Sequence, residues 1–134
     1  MTMADRMFDT HPALDAIDGP ALAACLQACR ECATACTACA DACLAESDVT
    51  ELIACIRTDL DCAEACAATA AILTRRTATD PQIVKAQVTA TRTIARACAE
   101  ECEMHAEHHA HCRLCAEACR SCERACTELL AALE

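Results

Sequence analysis

The chain has 134 residues, a mass of 14.2 kDa and a formal charge of −10, with one Gly, one Phe, no Trp or Tyr, and 16 Cys. The acidic balance excludes an ordinary nucleic-acid binder, which needs a basic face against phosphates. The scarcity of Gly and Pro excludes a turn-rich β-sandwich or barrel. With almost no aromatics and few large aliphatics, the interior must be filled by another residue, and Cys is the abundant candidate.

In chain order, the first segment carries no basic start, apolar run and small-residue cleavage site of a secretory signal. The expected location is therefore cytoplasmic, where thiols stay reduced. Residues 1–20 read as an arm with a short helix around Pro12–Ile17, and Met1, Met3 and Met7 read as incidental. Gly19-Pro20 suits the opening of a first long helix, with Pro in its first turn. Asp48, with Glu51 three residues later, resembles a capping box that opens a second. Asp80-Pro81 opens a third. The fourth starts near His109-Ala110-His111, without Gly or Pro to mark it. The predicted helices cover about 21–46, 48–76, 81–108 and 111–133. Short turns between them make an all-α, antiparallel up-down four-helix bundle over residues 21–134. No stretch approaches the roughly 18 apolar residues of a membrane span.

The cysteines fall on one face of each helix. The first helix has Cys25, Cys29, Cys32, Cys36, Cys39 and Cys43, spaced 4, 3, 4, 3, 4. The last has Cys112, Cys115, Cys119, Cys122 and Cys126, spaced 3, 4, 3, 4. The second carries Leu52, Cys55, Asp59, Cys62, Cys66, Thr69 and Leu73 on its seam, and the third carries Val84, Val88, Thr91, Ala95, Cys98, Cys102, His105 and His109. Such alternation is the inward seam of a bundle. Core filling alone does not account for it, because Leu in those places would bury more apolar area. Neighbours on one helix face have near-parallel Cα–Cβ directions, which is poor disulfide geometry.

Metal binding remains. The haem motif CxxCH, the ferredoxin Cys-Pro pattern and the Glu-x-x-His pairs of di-iron bundles are all absent. Charge then separates the soft ions. Sixteen thiolates around four tetrahedral Zn(II) would bury a net charge of about −8, which is costly. One Cu(I) per thiolate sums to zero, and soft thiolates favour Cu(I). A Zn(II) or heavy-metal thiolate buffer and a thiol redox sensor stay open as alternatives. No organised acid–base pocket points to an enzyme.

The two Cys-rich seams, C-x3-C-x2-C-x3-C-x2-C-x3-C and C-x2-C-x3-C-x2-C-x3-C, resemble those of the bacterial four-helix-bundle copper storage proteins, in particular their cytosolic branch. The resemblance covers about residues 21–133. It implies a thiol-lined tube that fills with many Cu(I) ions from one end, a storage and detoxification role, and a tetramer of bundles. The ligands would be all 16 Cys. A storage role further implies a copper donor such as a copper chaperone, with neither nucleic acid nor membrane as partner.

Topology distinguishes the two ends. Leu22, Leu73, Val84, Val88, Leu129 and Leu133 gather at one end as an expected apolar plug. Met104, His105, His108, His109 and His111 gather at the other, with Cys43 and Cys55. The resemblance places the loading role on His105 and His109, with Met104, His108 and His111 beside them. Asp59 interrupts the thiol seam of the second helix, and a carboxylate facing a core needs a partner or a metal. It is expected to orient His105 or His109.

Overall fold

A computed structural model describes residues 1–12 and 17–134. The short helix expected around Pro12–Ile17 centres on residues 13–16, outside the described residues. A helix not expected from the sequence, α1 (Met3–Asp9), precedes it. Thr2 Oγ1 accepts from the Asp5 amide at 3.1 Å while Asp5 Oδ2 accepts from the Thr2 amide at 2.9 Å. This reciprocal cap satisfies amides that a short helix would otherwise leave open.

The bundle is formed by α2 (Gly19–Leu44), α3 (Ile53–Thr74), α4 (Pro81–Glu103) and α5 (Ala110–Ala132), and no strand occurs among the described residues. The helices form a ring in which α2 touches α3 and α5, and α4 touches the same two. Asp18 caps α2 by accepting from the Ala21 amide at 3.1 Å, and Asp80 caps α4 by accepting from the Gln82 amide at 2.9 Å. Pro20 and Pro81 occupy first-turn positions, where their missing N–H is no loss.

The predicted starts at Gly19-Pro20 and Asp80-Pro81 agree with the structure; the one at Asp48 does not. Residues Val49–Glu51 form a single 3₁₀ turn, α3 begins only at Ile53, and Asp48 makes no capping bond. Its carboxylate instead accepts from His109 Nε2 at 3.0 Å, a charge-assisted bond stronger than an amide cap. The third predicted helix also ends early, at Glu103, because the chain turns through residues 104–109 into α5.

All 16 Cys are buried and free. The predicted plug forms at the end holding the start of α2, where Leu22, Leu26, Leu73, Val84, Val88 and Leu129 are buried. Each such side chain contributes about 1.5–3 kcal/mol of burial. Helix α1 lays Phe8 against this end, with the Arg76 guanidinium 4.8 Å above the Phe8 ring. Arg76 Nη2 donates to the Ile17 carbonyl at 2.9 Å, which ties the α3–α4 turn to the segment before α2. No described helix is long and apolar enough to cross a membrane.

Candidate metal centre

The 4-3 spacing keeps each Cys seam aimed at the bundle axis, and the four seams merge into one column of sulfur. From the plug end, Cys25 and Cys126 lie 3.8 Å apart, Cys29 and Cys122 3.8 Å, and Cys66 and Cys122 3.7 Å. In the middle, Cys32 lies 3.7 Å from both Cys62 and Cys119, and Cys36 lies 3.6 Å from Cys119, 3.7 Å from Cys115 and 3.9 Å from Cys98. Toward the histidine end, Cys39 is 3.9 Å from Cys112 and Cys55 is 3.6 Å from Cys102. These are thiol contacts, not disulfides.

Groups of four ligand atoms recur along the column. Cys32, Cys36, Cys62 and Cys119 converge, as do Cys36, Cys98, Cys115 and Cys119, and successive groups share members. At a metal–sulfur distance of about 2.3 Å, three sulfurs around one ion lie about 4.0 Å apart. The observed spacing therefore accepts ions between neighbouring thiols with little movement. Shared sulfurs favour a continuous cluster over isolated sites.

Asp59 is fully buried within the column. Its Oδ1 accepts from Cys98 at 3.2 Å, Cys115 at 3.2 Å and Cys102 at 3.4 Å, and its Oδ2 faces Cys55 at 4.0 Å. The sequence pairs Asp59 with His105 or His109; in the structure its partners are these thiols. Burial foremost pushes the Asp59 carboxyl up to about 9. It stands as a neutral acid at pH 7, which removes the cost of a buried charge among unmetallated thiols. Burial likewise pushes Cys43 up to about 12 and raises Cys112. Cys43 and Cys112 therefore keep their protons at pH 7 in the metal-free protein, and an ion bound there must displace them.

The histidines meet different partners. His111 alone of them is within reach of sulfur among the described contacts, with Nδ1 3.4 Å from Cys39 Sγ and 3.6 Å from Cys112 Sγ. It forms a four-ligand group with Cys39, Cys43 and Cys112. His109 has both nitrogens on carboxylates, Nδ1 at 2.6 Å from Glu46 and Nε2 at 3.0 Å from Asp48. Both nitrogens must therefore donate, and Asp48 foremost raises the His109 pKa. His105 Nε2 faces Glu101 at 3.2 Å. His108 and Met104 are exposed. The family resemblance set His105 and His109, which continue the α4 seam, ahead of His111. Sequence reading missed Glu46 and Asp48, which only the path of the turns brings to the rings, and Glu101, whose four-residue spacing from His105 was the available signal.

A four-helix bundle with a continuous column of reduced thiols, plugged by aliphatic residues at one end and edged by histidine at the other, is a protein built to hold many soft metal ions. Residues 19–131 match the copper storage protein family, and the chain belongs to that family. Its fold is similar to that of the Streptomyces lividans copper storage protein Ccsp loaded with 10 copper equivalents, at 53% identity and a TM-score of 0.95 over 97% of this chain and 99% of that one. A five-copper structure from studies of copper loading to the cytosolic S. lividans protein is 57% identical, with a TM-score of 0.83 over 84% and 93%. A histidine-to-alanine variant of Ccsp is 54% identical, with a TM-score of 0.87 over 90% and 100%. The comparison with curated proteins returned no match.

Proposed function

We propose that this chain stores copper as Cu(I) in the cytoplasm, at roughly one ion per Cys, limiting free copper without catalysing a reaction. The observation that carries this reading is the unbroken column of buried thiols at 3.6–3.9 Å. A monovalent soft ion on each thiolate keeps such a column neutral, whereas separate Zn(II) cages would leave buried negative charge. The resemblance to multiply copper-loaded structures supports the same reading.

Loading proceeds from the histidine end, because the opposite end is closed by Leu22, Leu26, Leu73 and Leu129 under α1. All 16 Cys act as ligands, with His111 and His105 as capture groups at the open end, His109 held beside them with both nitrogens on carboxylates, and Asp59 inside the column. A copper chaperone is the expected donor, and a homotetramer the expected assembly.

The test is an anaerobic titration of reduced protein with Cu(I) against a chromophoric chelator, with thiols counted in parallel. Saturation near one Cu(I) per Cys is the expected result. Saturation at one or two ions, or tighter binding of about four to eight Zn(II), overturns it.

A further inference from the structure

We infer that Glu46 is a positioning residue for copper capture: it holds the His111 ring with Nε2–H outward and the Nδ1 lone pair facing Cys39 and Cys112. The inference rests on the storage reading and adds a role for a residue outside the thiol column.

The geometry requires this tautomer. Glu46 Oε2 lies 2.9 Å from His111 Nε2, and a carboxylate can only accept, so the proton sits on Nε2. In the neutral ring that leaves Nδ1 as the bare nitrogen, and it is the one 3.4 Å from Cys39 Sγ and 3.6 Å from Cys112 Sγ. A ring held the other way would present N–H to the thiols and could not accept a metal. The same Glu46 Oε2 takes a second bond, 2.6 Å from His109 Nδ1. His109 is anchored on its far side by Asp48 at 3.0 Å. The His109 and His111 rings stack at 5.4 Å with 25° between their planes. Glu46 is thus fixed by His109 and in turn fixes His111. It comes from the turn after α2, and His111 from the first turn of α5, so tertiary packing alone makes the pair. A carboxylate on the outer nitrogen of a ligating histidine orients the ring and raises its basicity, and losing it typically costs 10–100-fold in metal affinity.

The experiment is stopped-flow transfer of Cu(I) from a chromophoric chelator to the reduced, metal-free full chain. It compares the native protein, Glu46→Ala, Glu46→Gln, His111→Ala and the double variant Glu46→Ala/His111→Ala. For the first equivalents, Glu46→Ala should weaken or slow capture about 10–100-fold, with total capacity unchanged. Glu46→Gln, whose amide oxygen still accepts from Nε2–H, should restore most of it. In the His111→Ala background, Glu46→Ala should add no further loss. Native-like capture by Glu46→Ala, or an undiminished effect without His111, overturns the inference. Long-range ¹H–¹⁵N spectra of the metal-free native protein provide a check independent of any variant: His111 should be the Nε2–H tautomer, and Nδ1–H overturns the assignment. Failure of the storage reading is distinguishable, because there the native protein itself would saturate at one or two ions.

Discussion

Thr69 and Thr91 face each other across α3 and α4 with their hydroxyl oxygens 2.7 Å apart, both fully buried. Antiparallel pairing of α2 with α3, set by the Cys32–Cys62 contact, puts Thr69 at the level of Cys25. At that level α2 and α5 still carry Cys25 and Cys126, while the opposite wall has changed from thiol to hydroxyl. Thr69 donates to the Ala65 carbonyl at 2.7 Å and accepts from Gln87 Nε2 at 3.0 Å, so the Thr91 hydroxyl is left to donate to Thr69. The pair closes the column on one side with a satisfied polar layer above the plug.

Removing one partner should therefore cost more than removing both. Thr69→Val leaves the Thr91 hydroxyl without its acceptor and Gln87 Nε2 with only its longer bond to Thr91 at 3.5 Å, a loss of about 1–3 kcal/mol in the metal-free protein. Thr69→Val/Thr91→Val should recover part of it. Chemical denaturation of the reduced proteins measures both, and copper capacity should stay at the native value. A double variant less stable than the single would argue against the pairing.

Asp59 should destabilise the metal-free protein as pH rises. Its folded value of about 9 lies above its ordinary 3.8, so between these values the native state holds a proton that the unfolded chain has released. Stability from this group is complete below about pH 4 and falls as pH rises toward the folded value, by at most about 1.4 kcal/mol per pH unit. Asp59→Asn should thus be increasingly more stable than the native protein from pH 5 to pH 8, while losing any copper contact the carboxylate makes. Denaturation curves at the two pH values that shift in parallel for both proteins would contradict this.

Ala78, in the turn between α3 and α4, has φ of 54°, a left-handed conformation that Cβ disfavours. Glycine adopts it freely, although it loses more entropy on folding. Ala78→Gly should raise stability by less than about 1 kcal/mol, seen as a small rise in Tm without change in copper capacity. A fall in Tm would count against the backbone assignment.

An ionic clamp joins α4 to α5. Arg120 bonds Glu103 at 2.7 Å and Glu123 at 2.9 Å, and Arg96 bonds Glu123 at 2.7 Å. Arg120 holds the Glu103 carboxyl below its ordinary range, and Arg96 and then Arg120 do the same for Glu123. This stability is full above the unfolded carboxylate value of about 4.3 and is lost as pH falls through the lowered folded values. Exposed pairs of this kind are worth about 0.2–1 kcal/mol each. Arg120→Gln should therefore cost about 1 kcal/mol at pH 7 in low salt and less at pH 3. An equal cost at both pH values would point to packing of the Arg stem instead.

The inward placement of all 16 Cys was legible from residue order, because alternating three- and four-residue steps confine them to one face of each helix and a bundle has one interior. The plug of Leu22, Leu73, Val84, Val88 and Leu129 followed from the same period together with short turns. Two starts, Gly19-Pro20 and Asp80-Pro81, were local chemistry. Helix α1 also carries a local signal, Thr2 three residues before Asp5. What only the tertiary structure decided are the pairings between distant residues: His111 with Cys39, Asp59 with Cys98, Cys102 and Cys115, Asp48 with His109, Phe8 with Arg76. Each depends on a fraction of a turn in helix rotation and on the path of a connecting segment. Periodicity specifies which face of a helix points inward; it does not specify the height at which that face meets its neighbour.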